Sequence, residues 1–309
     1  MSKIAWVFPG QASQYVGMGR ELYDQSDRVK KFYAQASEHL GADLAKISFE
    51  GPAERLKQTK FTQPAILVHS LALLDTAADR LPPHHFAAGH SLGEYGALAA
   101  SGAMTFEEAI TAVCIRACLM EEACRENPGT MAAIMALSDD KLEQVVGEAA
   151  RLGVVTVANI NSKMQAVISG EIPAVEEACR LASEAGAKRA VRIEVGGAFH
   201  SPLMQSAVPG MTTCLQGLSL ADAKTPVVAN VTARPVERAD DIRRLLIEQI
   251  TSPVRWRDTI TFLAGVGVTL IVEIGPGKVL TGLAKRDLPG VTLGNIDTLA
   301  DLETFAASV

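Results

Sequence analysis

Apolar residues along the chain fall into short unbroken runs separated by longer mixed stretches. IAWVF (4–8) is a run of strand length, and the glycine-rich PGQASQYVGMG after it predicts a turn leading into a helix. Residues 62–80 (TQPAILVHSLALLDTAADR) predict a long, largely buried helix. FAAGHSLGEYGALAASGAM predicts a strand, a sharp turn and a helix of small residues. Thr105 opens the next helix, with Glu108 three positions on completing a capping box. TPVVANV (225–231) and VTLIVEIG (268–275) are further apolar strands, with helical stretches between them. Strands alternating with helices predict an α/β fold with a mostly parallel sheet covered on both faces.

The middle of the chain has another rhythm. After Asn127-Pro128-Gly129 come strand TMAAIMAL, helix DDKLEQVVGEAAR, strand VVTVANI, strand MQAVISG, helix IPAVEEACRLASEAG and strand KRAVRIEV. That β-α-β-β-α-β order is the order of a ferredoxin-like module. It predicts a small domain at 128–195 inserted into a large α/β domain formed by 1–127 and 196–309.

Composition narrows the function classes. The 309 residues are 48% hydrophobic and 21% charged, with a net charge of −6 and a pI near 5.6, which argues against a nucleic-acid binder with a general basic footprint. The run before Pro9 is too short for a signal-peptide core, and no apolar run has membrane-spanning length. The five cysteines include no CxxC pair and have no nearby histidines. Cys114 and Cys118, four apart on a predicted helix, do not make a zinc site, so free thiols and no metal are expected.

The sharpest candidate chemistry is GHSLG (89–93). It follows an apolar strand and precedes a small-residue helix, which is the setting of a nucleophile elbow, although glycine-permitted βα turns share it. In an elbow, Ser91 is lifted clear of the sheet and the next amide points toward developing negative charge. A serine needs a base. His90 is adjacent to it and points away, and His39, His69, His84 and His85 lack matching turn signals. His200, in GGAFHSPLM at the return from the inserted module, is the candidate base; a structural histidine is the other reading. Arg116 can be placed on a wheel of the helix 105–125. Glu107, Glu108, Glu121, Glu122 and Arg125 share one polar arc, whereas Arg116 falls among Ala109, Ala112, Val113, Met120 and Ala123. A guanidinium there needs an anion, either an internal ion pair or a substrate carboxylate. Two look-alikes fail: IGPGK has Val272 at the first-glycine position of a phosphate loop, and GVGVTL lacks the third glycine of a dinucleotide fingerprint.

Taken together, FPGQASQYVGMG, FEGP, FTQPAIL, GHSLGEYGALAASG, the arginine of IRACLM, GAFHSPLM, NVTARPV, TSPVRW and EIGPGKVLTGL closely resemble the malonyl-CoA:acyl carrier protein transacylase family. The resemblance runs from about residue 4 to 287, and the family serves fatty-acid synthesis and recurs as a domain of polyketide synthases. It implies an α/β-hydrolase-like large domain with the ferredoxin-like insert. Ser91 would accept the acyl group, His200 would be its base, and the backbone amides of Gln11 and Leu92 would form the oxyanion hole. Arg116 would hold the malonyl carboxylate, Asn159 would lie near the substrate, and the Gln249 carbonyl would orient His200. Phe199 together with Leu92 resembles malonyl-selective members. Ala12 and Ala117 stand where the family commonly has glycine, Glu121 replaces a common glutamine and NSKMQ replaces the usual NSPGQ.

The implied reaction is ping-pong transfer from malonyl-CoA to the phosphopantetheine thiol of acyl carrier protein, with no bound cofactor. A serine esterase or thioesterase using the same elbow is the alternative, and a non-catalytic docking subunit a further one. A basic patch including Lys188, Arg189, Lys285 or Arg286 is expected to meet the acidic carrier. The start at Met1 and the end soon after the last motif favour a free-standing enzyme over a domain of a megasynthase; free thiols and the lack of a signal-peptide core fit a cytoplasmic location, and a monomer is the default expectation.

Overall fold

The computed structural model describes residues 3–77 and 79–307. Ten strands are labelled in chain order: β1 (Lys3–Phe8), β2 (Phe86–Gly89), β3 (Thr130–Met135), β4 (Val155–Ser162), β5 (Gln165–Gly170), β6 (Arg189–Ile193), β7 (Val227–Val228), β8 (Pro235–Val236), β9 (Val268–Ile274) and β10 (Thr292–Ile296). They form two sheets. The first has the order β10-β9-β1-β2-β7-β8, parallel throughout except for the final antiparallel β7–β8 pair. Strands buried on both faces call for apolar runs: Ala5 to Phe8, Ala87 to Gly89 and Ile271 to Ile274 are all buried, with Glu273 the single polar residue among them.

The second sheet is contiguous in sequence and wholly antiparallel, with order β4-β5-β3-β6. Its elements follow one another as β-α-β-β-α-β, with a short 3₁₀ turn at Ala150–Leu152. The period-2 alternation divides its faces. Ala132, Ile134 and Ile168 pack against Leu142, Val145, Val175 and Ala178 of the helices Asp139–Ala149 and Ile172–Glu184. Met131, Ala133, Val167 and Ile193 face the other way, toward the first sheet. A parallel bridge from Asn159 to Val254 fastens β4 to the rest of the chain, with Val254 N donating to the Ala158 carbonyl at 2.8 Å.

Some boundaries move relative to expectation. The helix expected over 62–80 runs Thr59–Ala77; Ala78 lies outside the described residues. The strand expected over 225–231 shrinks to Val227–Val228. Beyond it, Asn230 gives its backbone N–H to Glu94 and its side chain to the turn after β2, so the ladder has no donor to continue with. The helix Phe106–Glu126 begins with the expected capping box, both of its hydrogen bonds present.

Candidate active site

The turn after β2 is built by close backbone approach. A Cβ on Gly93 would lie 2.1 Å from the Phe8 carbonyl oxygen, and one on Gly89 would lie 2.0 Å from the Gly93 carbonyl carbon. Only glycine fits either place, and the fit folds the chain sharply from β2 into the helix Gly93–Ala100. Ser91 sits at the apex with φ +53°, a left-handed conformation that non-glycine residues adopt only when surroundings impose it. Those surroundings are visible: Ser91 N donates to Asn230 Oδ1 at 2.7 Å, and its carbonyl accepts from Gln249 Nε2 at 3.1 Å.

His200, also at positive φ (+56°), brings Nε2 to 2.8 Å from Ser91 Oγ and Nδ1 to 2.9 Å from the Gln249 carbonyl oxygen. A carbonyl only accepts, so Nδ1 carries the hydrogen. Burial, and after it the positive charge of Arg116, depress the imidazole pKa to about 3. The ring is therefore neutral near pH 7, Nε2 presents a lone pair, and the Ser91 hydroxyl donates to it. His90 points elsewhere, its Nε2 2.9 Å from Asn161 Oδ1.

Arg116 is completely buried, among the apolar neighbours that the wheel places beside it. It makes no salt bridge among the described residues. Nη1 donates to Gln63 Oε1 at 2.6 Å, and Nη2 donates to both Ser91 Oγ (3.0 Å) and Gln249 Oε1 (2.9 Å). Nε has no hydrogen-bond partner among the described residues. The internal ion pair weighed as an alternative is thus not formed: a buried cation rests on neutral oxygens, directly on the serine hydroxyl.

Ser91, His200, Gln63 and His90 line a cavity of about 400 Å³ between the two sheets. Gln11, Asn159 and Phe199 line it too, as do Asn161 and, from the far wall, Met131, Val167 and Ile193. The backbone amides of Gln11 and Leu92 make no hydrogen bond among the described residues. The Leu92 side chain is 1% exposed and belongs to the main hydrophobic core, whereas Phe199 lines the cavity.

Four polar residues at the site carried no role in the sequence reading: Gln63, Glu94, Asn161 and Asn230. Three of them lie inside the motifs FTQPAIL, GHSLGEYGALAASG and NVTARPV, which was the available signal. Among the described residues no group of side chains could hold a metal ion, and Cys114, Cys118, Cys124, Cys179 and Cys214 are all free. No described helix is long and apolar enough to cross a membrane.

Known proteins share this fold and much of this sequence. Residues 5–293 match the family model of the acyl transferase domain. The malonyl CoA-acyl carrier protein transacylase of Bacillus subtilis is 45% identical over 287 residues, which is 93% of this chain and 90% of that one. This chain belongs to the malonyl CoA-acyl carrier protein transacylase family. The crystal structure of acyl-carrier-protein-S-malonyltransferase from Bartonella henselae superposes with a TM-score of 0.94 at 37% identity, covering 99% of each chain. A malonyl-transacylase solved in complex with a type II polyketide acyl-carrier protein matches at a TM-score of 0.94 and 38% identity, covering all of both chains. The transacylase family thus accounts for the chain end to end, as an acyltransferase with an α/β architecture of one parallel-rich and one antiparallel sheet.

Proposed function

We propose that the protein transfers a malonyl group from malonyl-CoA to the phosphopantetheine thiol of acyl carrier protein, through a malonyl-Ser91 ester. The observation that carries this reading is the buried Arg116, without a carboxylate partner and bonded to Ser91 Oγ. A cation so placed favours an acyl group that brings its own carboxylate, and an acyl group without one leaves the charge unpaired.

In the first half-reaction, His200 Nε2 takes the Ser91 proton as Oγ attacks the thioester carbonyl. The oxyanion rests on the Gln11 and Leu92 amides, each worth on the order of 3 kcal/mol in the transition state. Collapse breaks the C–S bond, and CoA departs with the proton from His200. In the second, His200 takes the proton of the carrier thiol, whose sulfur attacks the ester, and returns it to Ser91. The Gln249 carbonyl replaces the acid of a triad by fixing the imidazole tautomer. Asn159 and Phe199 shape the substrate cavity.

The same reading divides the chain into a hydrolase-like large domain (1–127 and 196–309) and a ferredoxin-like small domain (128–195). The antiparallel order β4-β5-β3-β6 and its own helix-covered core support the second part. The enzyme would need no bound cofactor and act as a cytoplasmic monomer. Lys188, Arg189, Lys285 and Arg286 are exposed and available to meet an acidic carrier.

The test is incubation with labelled malonyl-CoA, followed by carrier protein bearing its phosphopantetheine arm. Label is expected on Ser91 and then on the carrier. Release as free malonate would make the protein a thioesterase, and absence of label on Ser91 would remove catalysis altogether. Arg116→Ala should lose preference for malonyl over acetyl; undiminished malonyl transfer would refute its role. Raising the salt concentration should raise the carrier KM if the basic patch guides docking.

A further inference from the structure

Glu94 is 2% exposed, on the helix that Ser91 leads into, and the transfer chemistry has no use for an acid there. Keeping an ionisable group where an aliphatic one would pack is costly unless it organises its neighbours. One of its oxygens, Oε2, accepts from Asn230 N at 3.0 Å and from Gln249 Nε2 at 2.8 Å. The other hydrogen of Gln249 Nε2 goes to the Ser91 carbonyl at 3.1 Å. With both N–H groups engaged, the Gln249 amide cannot turn round without setting Oε1 against two acceptors. Oε1 is thereby held toward Arg116 Nη2, 2.9 Å away. Reversed, the amide would present a donor to a guanidinium, which has only donors.

We propose that Glu94 is a positioning residue: it fixes the Gln249 amide and, through it, the Arg116 guanidinium on which acyl selection depends. The proposal rests on the reading of Arg116 as the seat of the acyl carboxylate. Asn230 forms a second arm, since the residue whose N–H binds Glu94 also binds Ser91 N and the Gly89 carbonyl through its side chain. Burial pushes the Glu94 carboxyl up to about 7, against the pull of its two donors and of Arg116. Either protonation state keeps an acceptor oxygen, so it is the hydrogen bonds that position.

The experiment measures Ser91 acylation of the full chain by malonyl-CoA and by acetyl-CoA, and reads the ratio of the two kcat/KM values. Glu94→Leu should lower that ratio about tenfold, the scale of losing one net hydrogen bond to Arg116 through Gln249. Glu94→Gln should keep most of it, because an amide oxygen can take the same two donors. Gln249→Met retains the backbone carbonyl on His200 and should lose the ratio as Glu94→Leu does, with no further loss in the double variant. A merely structural acid would lower both acyl groups alike; an unmoved ratio in Glu94→Leu overturns the proposal, as does a Glu94→Gln ratio as low as that of Glu94→Leu. If Glu94→Leu does not fold, Gln249→Met decides, since an unchanged ratio there is equally fatal. Should Arg116→Ala match the wild-type ratio, the underlying reading of Arg116 fails instead.

Discussion

Two glycine-rich turns lead from neighbouring parts of the same sheet into helices, yet only one is a site. After β2, Gly89 to Gly93 opens the helix Gly93–Ala100; after β9, Gly275-Pro276-Gly277-Lys278 opens the helix Val279–Asp287. A helix start offers unpaired amides to an anion in either case. At the second turn the chain fills that place itself. The buried Glu273 accepts from Leu280 N (3.0 Å), Thr281 N (2.8 Å) and Thr281 Oγ1 (2.8 Å). At the first turn the Leu92 amide has no hydrogen-bond partner among the described residues, and the Ser91 hydroxyl meets an imidazole and a guanidinium. The second turn supplies Val279, Leu280 and Leu283 as cavity wall and no chemistry. A glycine-rich turn is therefore only a platform; what occupies the helix start decides its use.

The sharpest way to break this contrast is to remove the hydroxyl. Ser91→Ala is expected to abolish covalent labelling and to lower transfer by at least about 10⁴-fold, as losing the nucleophile of a cooperative unit does. Persistent labelling would move the chemistry to another residue.

The next effect concerns pH. Because burial and Arg116 depress the His200 pKa to about 3, the acid limb of kcat/KM for acylation should lie well below the ordinary histidine value of 6.5. Arg116→Ala removes the second cause, so its limb should shift upward. Stability has the same sign. The unfolded chain binds a proton on this histidine below about 6.5 and the folded chain does not, so stability falls as the pH drops from 6.5 toward 3. His200→Gln should flatten part of that slope in urea titrations at several pH values. A wild-type acid limb near 6.5 would refute the neutral, buried imidazole.

On the side of the second turn, Glu273→Ala should cost about 1–3 kcal/mol by leaving its amide donors unmatched. Urea unfolding measures this, and an unchanged midpoint would show that the carboxylate does not close the turn. Acylation of Ser91 should survive in the folded fraction.

The sequence made the two turns partly distinguishable. The apolar run, the glycine spacing and the small-residue helix located Ser91, and the wheel located Arg116, because a lone charge on an apolar face breaks a strong periodicity. Glu94 and Gln63 broke no such pattern. An acid in a first helical turn is commonplace at the surface, and the helix Thr59–Ala77 is buried almost all round, leaving no polar arc for Gln63 to contradict. The apolar pattern of TPVVANV places Asn230 in a strand, whereas its long-range bonds to Gly89 and Glu94 take it out of the ladder. Contacts of 130 or more residues in sequence separation have no local signature.

The loop after β1 and the turn after β9 share a backbone angle that carries a side chain in the first and none in the second. Ala12, beside the oxyanion candidate Gln11, has φ +82°, and Gly277 has φ +79°. The left-handed region costs an alanine roughly 1–2 kcal/mol, against roughly 0.5–1 kcal/mol of extra unfolded-state freedom for a glycine. Ala12→Gly is thus expected to raise stability by about 0.5–1 kcal/mol. Gly277→Ala isolates the same term with the opposite sign, since a Cβ at Gly277 would meet nothing closer than the Ser13 carbonyl oxygen at 3.4 Å, an ordinary contact. Chemical denaturation of the two variants should give shifts of similar size and opposite direction. Shifts of the same sign would mean that packing around one of the turns, rather than the backbone angle they share, sets the cost.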